Sequence, residues 1–362
     1  MNRCLLTVLA ALSVTAVLAL PASGQEREVA DALLGPLPVR DLYLLNNGFF
    51  FFTPEGAHVL DDNSWVVDLH TTDANTFAKS RWISHNIEFD TVRRTGAQTL
   101  AVNRMDPGVT NFLVDGETFR TTLSAHRGLG NNLEVAIEVP FTTIGGGYSD
   151  AFIEHFHALL RLGDDQRVAM QKNQETVFVR TDNFTYLREH SSGSHLGDVA
   201  LSAKYELPAL EDPNLSLSLQ AAMELPTGNA QSLDGSGSLD GGVQLLATRD
   251  FGRSRVNASA GLLYLGRNAP LGLTPQFVVT DSIGFSSLVA AHTSATVQVT
   301  ISQSPFRKIG APELARRSYQ MTAGVQHAFN PGLTVYGGIV ENLITYQNSA
   351  DAGLVMGVTH RF

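Results

Sequence analysis

Apolar and polar residues alternate with a period of two along most of this chain. In residues 215–225, leucine, alanine and methionine at the odd positions alternate with serine, glutamine and glutamate at most even positions. A strand with this pattern has one apolar face and one polar face. The same alternation occurs in 133–141, 199–207, 256–264, 297–302 and 321–329, where the polar side carries Asn257, Ser259, Gln298, Thr300, Thr322 and Gln326.

The length of these segments favours a membrane protein. Each has about ten residues, the length that a tilted strand needs to cross a bilayer, whereas soluble strands average about five or six. A soluble sandwich or jelly roll also alternates and is the alternative. After residue 25 there is no apolar run of about 18 residues, so strands must make any crossing. We predict an all-β fold, a transmembrane antiparallel β-barrel of roughly 12 to 14 strands over residues 64–362.

Turn residues divide the barrel region into strands and connections. Short connections at 329–332 and 207–213 are predicted to face the periplasm, and the longer ones at 226–238 and 304–315 to face outward. The predicted strands are 82–92, 96–103, 118–127, 131–141, 174–182, 195–207, 214–225, 239–249, 254–265, 276–289, 292–303, 316–329, 333–344 and 352–362.

The first 63 residues lack the alternating pattern. Arg3 precedes an apolar run, and Ala22 and Gly24 are small residues suited to cleavage before Gln25, which predicts a secretory signal peptide at 1–24. A single spanning helix is the alternative, but the run is short for one. Cys4, the single cysteine, would leave with the peptide. Residues 25–63, with three prolines and the aromatic run 49–52, form an N-terminal segment that could lie inside the barrel.

One segment has helical spacing instead. Ser149 is suited to cap a short amphipathic helix at 149–161, which by the strand count would lie at the periplasmic end. It is either a plug or gate in the lumen or a connecting helix that covers the barrel mouth. The plug candidates are Asp150, Glu154 and His157.

Composition and charge restrict the partners. Charged residues make up 17%, and the net charge of −10 argues against a nucleic-acid partner, because phosphates need clustered lysine and arginine. The expected partners are outer-membrane lipids, a small-molecule solute and the barrel-assembly machinery, for which Phe362, closing the last alternating strand, would be the assembly signal. The expected location is the bacterial outer membrane, reached through the periplasm.

Catalytic motifs are weak. Serines and two histidines cluster at 190–195, where a hydroxyl beside a base could act as a lipid hydrolase, but a solvated loop has the same composition. His155 and His157 are two residues apart on a predicted helix and point to different sides, which disfavours a metal site. We therefore predict neither an enzyme nor a cofactor or metal.

Several motifs together resemble a known family. The strand 133–141 runs into Gly-Gly-Gly-Tyr-Ser-Asp and then Phe-Ile-Glu-His-Phe-His, and Leu-Gly-Asp-Val at 196–199 and Leu-Pro-Thr-Gly at 225–228 follow. These residues resemble the domain-of-unknown-function 3187 family of Gram-negative outer-membrane proteins. The motifs at 196–199 and 225–228 are also similar to those of outer-membrane channels linked to aromatic-compound degradation, of the phenol-degradation transporter type. The resemblance implies a barrel in the outer membrane and no particular activity.

Two functions of different class remain open from the sequence. The first is a passive or gated channel for small molecules, with a mildly cation-favouring interior. The second is a non-conducting barrel that serves as a structural or docking element of the envelope. Barrels of intermediate strand number permit either. The lumen-facing candidates are Glu134, Glu138, Lys204, Glu206, Gln220 and Glu224.

Overall fold

The computed structural model describes residues 32–81, 83, 95–102, 110–130, 132–151, 155, 170–189, 193–208, 212–344 and 347–362. The predicted signal peptide lies outside these residues. No helix in the described part of the chain is long and apolar enough to cross a membrane.

The chain forms a closed antiparallel barrel of 12 strands, as predicted. The strands of the ring follow one another in chain order, and the ring closes where the first strand pairs with the last, from Val66–Arg361 to Asn75–Ala352. The ring strands are β1 Trp65–Lys79, β2 Asn111–Gly128, β3 Leu133–Gly145, β7 Val199–Glu206, β8 Leu215–Leu225, β9 Asp240–Asp250, β10 Ser254–Leu265, β11 Gln276–Ala290, β12 Thr293–Ser302, β13 Ser318–Asn330, β14 Leu333–Asn342 and β15 Ala352–Arg361.

Three short strands stand outside the ring. A hairpin of β4 Thr176–Arg180 and β5 Thr185–Glu189 pairs with the first residues of β2, and β6 His195–Leu196 pairs with β3 just before β7 begins. The predicted strand 174–182 therefore belongs to this hairpin instead of the ring. Two 3-10 turns occupy Leu44–Asn46 and Ala230–Ser232, and the helix α1 occupies Gly96–Val102.

The alternating pattern defines the two faces of the wall. On β8, Leu219 and Met223 are exposed on the outside, while Ser218, Gln220 and Glu224 are buried on the inside. Membrane barrels have the same division, with apolar side chains on the outer face and polar ones lining the lumen. Exposed aromatic residues lie toward both ends of the strands, as in the girdles of membrane barrels: Trp65, Phe251, Phe329 and Phe362 at one end, Tyr264 and Phe277 toward the other.

Connection lengths distinguish the two ends of the barrel. The connections β2–β3, β7–β8, β9–β10, β11–β12 and β13–β14 are short and share one end, which we call the short-turn end. The opposite, long-loop end carries the others. The predicted placement of 329–332 and 207–213 at one end and of 226–238 and 304–315 at the other is confirmed.

The start of the ring differs from the prediction. The first strand, β1, was missed because its second half is polar, and the predicted strand 96–103 is wrong because α1 is there. The cause is local: Gln98 N–H donates to Thr95 Oγ1 (3.1 Å) and Thr95 N–H to Gln98 Oε1 (2.9 Å). This capping box satisfies two amide donors that a helix start leaves free. Most of the predicted strand 82–92 lies outside the described residues.

The predicted helix at 149–161 is placed at the wrong end by the sequence argument. Because β3 starts at the short turn after β2 and ends at Gly145, the chain enters this helix at the long-loop end. Asp150 and Ala151 are helical, and most of the remainder lies outside the described residues.

Candidate functional site

The lumen is occupied by residues 32–62, which we call the lumenal segment. Leu33 packs against Ala328 near the short-turn end, and the chain rises to the 3-10 turn at Leu44–Asn46 under the long loops. It then descends to Asp61, beside Gly128 at the short-turn end, from which β1 begins. The segment thus forms an inverted U with an ascending limb (33–43), a tip (44–49) and a descending limb (50–60).

The ascending limb is held by neutral side chains of the wall. Gln298 on β12 accepts a hydrogen bond from Leu37 N–H (2.8 Å) and donates one to Leu37 O (2.9 Å). Irregular backbone away from water needs such partners, and the wall side chains supply them. Further bonds are Ser294 to Leu33 O (2.6 Å), Gln326 to Gly35 O (2.8 Å), Asn257 to Leu34 O (3.2 Å) and Leu42 N–H to Gln320 (3.1 Å).

The descending limb is held mainly by charged side chains. Lys204 Nζ lies 2.7 Å from Glu55 Oε2 on the limb and 3.2 Å from Glu134 Oε1 on β3. Glu206 accepts from Val59 N–H (3.1 Å) and Glu134 from Leu60 N–H (2.9 Å). Thr53 donates a hydrogen bond to Glu138 (3.5 Å), and Phe50 N–H donates one to Asp240 (3.4 Å). Gln220 donates to Glu55. Ala57 N–H donates to a neutral partner, Thr248 (2.8 Å).

The structure places all six lumen-facing candidates, Glu134, Glu138, Lys204, Glu206, Gln220 and Glu224, on the inner wall, and five of them hydrogen-bond the descending limb. Gln298, Gln320 and Gln326, which hold the other limb, were not among the predicted lumen-facing candidates. Gln298 and Gln326 stand on the polar side of predicted strands, so this periodicity could have identified them.

The tip packs in an apolar cluster under the long loops. The ring of Phe49 lies edge-to-face on Phe306, with centroids 6.2 Å apart, and Phe50 contacts Phe52 in the same way at 5.0 Å. Leu44 and Leu45 are fully buried in this cluster. Loop residues that complete it include Leu233, Leu271, Phe306 and Leu314. The apolar contacts pack the tip against the described long loops.

Two arginines lie among carboxylates beneath the tip. Arg40 donates to the carbonyls of Asn46 (3.1 Å) and Phe49, and Arg120 on β2 donates to Asn47 O (3.3 Å). Both are buried. Burial lowers the pKa of Arg40, and the nearby carboxylates, Glu224 most strongly, act in the opposite direction. Because a guanidinium group stays protonated in proteins, Arg40 provides positive charge inside the barrel.

A cavity of about 730 Å³ opens at the short-turn end, below the limbs. It is lined by polar residues that include His58, Glu206, Asp250 and Arg255. His58 Nδ1 lies 3.6 Å from Glu206 Oε1, and its Nε2 lies 3.6 Å from Asp250 Oδ2. Interaction with Asp250 and then with Glu206 raises the pKa of His58 to about 9. The imidazolium therefore ties the base of the descending limb to β7 and β9.

One group of side chains has the composition of a metal site. Glu55, His126 and Glu134 bring their ligand atoms within 4.8 Å of one another. The ammonium of Lys204 contacts both of these carboxylates, and His126 Nδ1 is 3.0 Å from Glu134 Oε1. Because a cationic side chain already neutralises these carboxylates, the arrangement fits an ion-pair network better than a metal centre.

The remaining candidates do not form a catalytic site among the described residues. Asp150 is buried and accepts from Asn75 (2.9 Å) and Asn173 N–H (2.7 Å), whereas Glu154 and His157 lie outside the described residues. Ser194 bonds Thr143 (2.6 Å), while His195 pairs with Asp234 (3.1 Å). This serine and this histidine therefore bind different partners. His190, Ser191 and Ser192 lie outside the described residues. Phe362 is exposed on the outer surface.

Comparison with known proteins gives a family and a fold. A family model described as a protein of unknown function (DUF3187) matches residues 17–362. No curated protein matches. The chain is similar to the COG4313 outer membrane channel from Pseudomonas putida F1, with a TM-score of 0.53 and 12% identity over 86% of this chain and 100% of that one. The P. putida toluene transporter TodX is also similar, with a TM-score of 0.39 and 10% identity over 84% and 90%.

Proposed function

The chain belongs to the DUF3187 family of proteins of unknown function, and we propose that it is an outer-membrane channel whose gate is the lumenal segment. The observation that carries this proposal is the way the lumen is filled. An 8-stranded barrel is filled by its own side chains, whereas wider barrels leave room for other occupants. Here a separate stretch of chain fills a 12-strand wall and is bound largely through polar contacts, which water can replace.

The ends of the segment support movement toward the periplasm. By the usual topology of bacterial barrels, short turns face the periplasm and long loops face outward. The ascending limb then starts, and the descending limb ends, at the periplasmic side, where the 730 Å³ cavity forms an open vestibule. Higher in the lumen, a cavity of about 20 Å³ lies between the limb and the wall beside Phe52 and Glu138, with room for about one water. We take this as the closed state of the channel.

The similar structure from Pseudomonas putida is an outer membrane channel, which agrees with this proposal. We further propose that the protein reaches the outer membrane after export with a cleaved signal peptide, that lipids surround its apolar outer face, and that Phe362 is read during barrel assembly. The same occupied lumen is compatible with a non-conducting structural barrel, and conductance separates the two functions.

A reversible lock tests the gate. A Cβ atom on Gly56 would lie 3.4 Å from Thr248 Oγ1, close enough for the pair Gly56→Cys and Thr248→Cys to form a disulfide between the limb and β9. In planar bilayers, the wild-type chain should show conductance steps. The oxidised double variant should be silent, and reduction should restore its steps.

The single variant Thr248→Cys is the matched control and should conduct under both conditions. Steps that persist in the fully oxidised double variant would show that the descending limb does not gate. Silence of the wild type, in protein shown to be inserted and folded, would favour the structural barrel.

A further inference from the structure

Three carboxylates lie at one level of the inner wall. The strand register pairs Glu138 on β3 with Ala200 on β7, Ala200 with Glu224 on β8, and Glu224 with Asp240 on β9. Residues paired across neighbouring strands point to the same face and have Cβ atoms about 5 Å apart. We call Glu138, Glu224 and Asp240 the acidic row. The acidic row lies beside the narrow space under Phe50–Phe52, and Glu138 is one of the residues that line this space.

The carboxylates of the acidic row have few hydrogen-bond partners among the described residues. Glu224 and Asp240 are directly opposite each other and both are buried, and like charges in such a pair repel. Asp240 accepts from the N–H groups of Gly266 (2.7 Å) and Phe50 (3.4 Å). Glu224 Oε2 is buried and has no hydrogen-bond partner among the described residues. A buried carboxylate oxygen in this state favours a cation nearby.

The lumenal segment places Arg40 beside the row, because its guanidinium donates to Phe49 O and the next N–H, that of Phe50, donates to Asp240. The carboxylates that act electrostatically on Arg40 are Glu224, then Asp41, Glu138 and Asp198. Arg120 on β2 also acts on Glu224, but it belongs to the wall and stays when the segment moves. When the gate opens, the acidic row therefore loses Arg40 and the N–H of Phe50. The wall that binds the ascending limb does so through neutral side chains such as Gln298 and Gln320.

We propose that the acidic row is the selectivity site of the open channel and binds solutes that carry an ammonium or guanidinium group. Arg40 occupies this site as a tethered guanidinium while the gate is closed. The selectivity part of this inference rests on the proposed channel function. The binding part does not, because a guanidinium ion can be tested in the closed protein.

The binding test is chemical rescue in the full chain. Arg40→Ala removes the tethered cation, so chymotrypsin should cleave the aromatic run 49–52 faster than in the wild type. Low-millimolar guanidinium chloride should slow this cleavage back toward the wild-type rate, while the same concentration of potassium chloride should not. Folding of each variant is checked by heat-dependent gel mobility.

Two outcomes of this test would overturn the binding site. One is faster cleavage that guanidinium does not slow, and the other is equal rescue in Arg40→Ala combined with Glu224→Gln and Asp240→Asn. Cleavage of Arg40→Ala at the wild-type rate would also overturn it, because Arg40 would then not hold the segment against the row.

The selectivity test is the reversal potential of single channels in a potassium chloride gradient. A charged, confined lining concentrates its counter-ions, so we expect the wild type to prefer K⁺ over Cl⁻ by about tenfold or more. Glu224→Gln with Asp240→Asn should bring this ratio toward one. Asp281→Asn is the control, because Asp281 pairs with Ala260 on the outer face and should leave the ratio unchanged. Conducting channels with an unchanged ratio in the double variant would overturn the selectivity site and leave the channel function intact.

Discussion

The two limbs of the lumenal segment meet the same requirement with different chemistry. Both are irregular backbone inside a barrel, so their N–H and C=O groups need partners there. Uncharged glutamine, asparagine and serine side chains bind the ascending limb on β10 to β13. The descending limb is bound on β3, β7 and β9 mainly through ionisable groups, with Lys204 at the centre.

This difference implies a division of roles between the limbs. Neutral hydrogen bonds do not respond to pH and respond little to salt, so the ascending limb, which carries Arg40, should detach only after the descending limb has left the wall. Ion pairs depend on protonation and on screening, most of all near the open vestibule. We infer that the descending limb leaves the wall first when the gate opens, and the predictions below test this order.

The largest effect is expected at the centre of the charged limb. Lys204→Met leaves Glu55 and Glu134 facing each other without their cation, and breaking a buried pair costs about 3–5 kcal/mol. Since about 1.4 kcal/mol is a factor of ten, the fraction of time with the limb detached should rise on the order of 100-fold or more. Protease cleavage of the descending limb and channel open probability both measure this.

The control for Lys204→Met is Arg249→Met. Arg249 pairs with Asp212 at 2.8 Å, but both side chains are well exposed at the short-turn end. An exposed pair contributes about 0–1 kcal/mol, so cleavage should hardly change. Equal cleavage in the wild type and Lys204→Met would contradict the idea that this lysine holds the limb.

A smaller effect is expected on the neutral limb. Gln298→Leu leaves Leu37 N–H and C=O without their side-chain partner, which costs about 1–3 kcal/mol for a buried polar group. Cleavage near residue 37 should therefore increase less than cleavage of the descending limb in Lys204→Met. The increase should also be the same at low and high salt.

Gln303→Leu provides the comparison for Gln298→Leu. Gln303 accepts from Val279 N–H within the wall, at 3.2 Å, and does not bind the segment. Protection of the ascending limb should be unchanged in this variant. A strong salt dependence of Gln298→Leu would remove the distinction between the limbs.

The sequence predicted the strands of the barrel wall better than it predicted the segment inside the lumen. Strands such as β8 and β12 repeat a period of two, and this repeat alone assigns each side chain to lipid or lumen. β1 was not predicted because its outward positions change from Val67 and Leu69 to Thr71 and Asp73, so the apolar face ends halfway along the strand. The run at 96–102 is too short for periodicity to separate a helix from a strand, and the capping box of Thr95 and Gln98 carried the missing signal.

The contacts of the lumenal segment could not be read from the chain. Three prolines and an aromatic run indicated that residues 25–63 are not a barrel strand. The bonds that hold them join positions far apart in sequence, such as Leu37 and Gln298 or Leu60 and Glu134. Such pairings depend on which strand each limb follows, and local propensity carries no information about that choice.

The smallest effect, and the most specific for the charged limb, is a dependence on pH through His58. The pKa of His58 is raised from 6.5 to about 9 by Asp250 and Glu206, so the charged imidazole stabilises the docked limb. This contribution is complete below pH 6.5 and is lost as the pH rises through about 9. Channel open probability of the wild type should therefore rise across this window. His58→Gln should already show the higher value at pH 6.5 and change little up to pH 9. Because the His58 side chain is 41% exposed, high salt should reduce the difference between the two proteins. If His58→Gln keeps the full pH response, another group must control the descending limb.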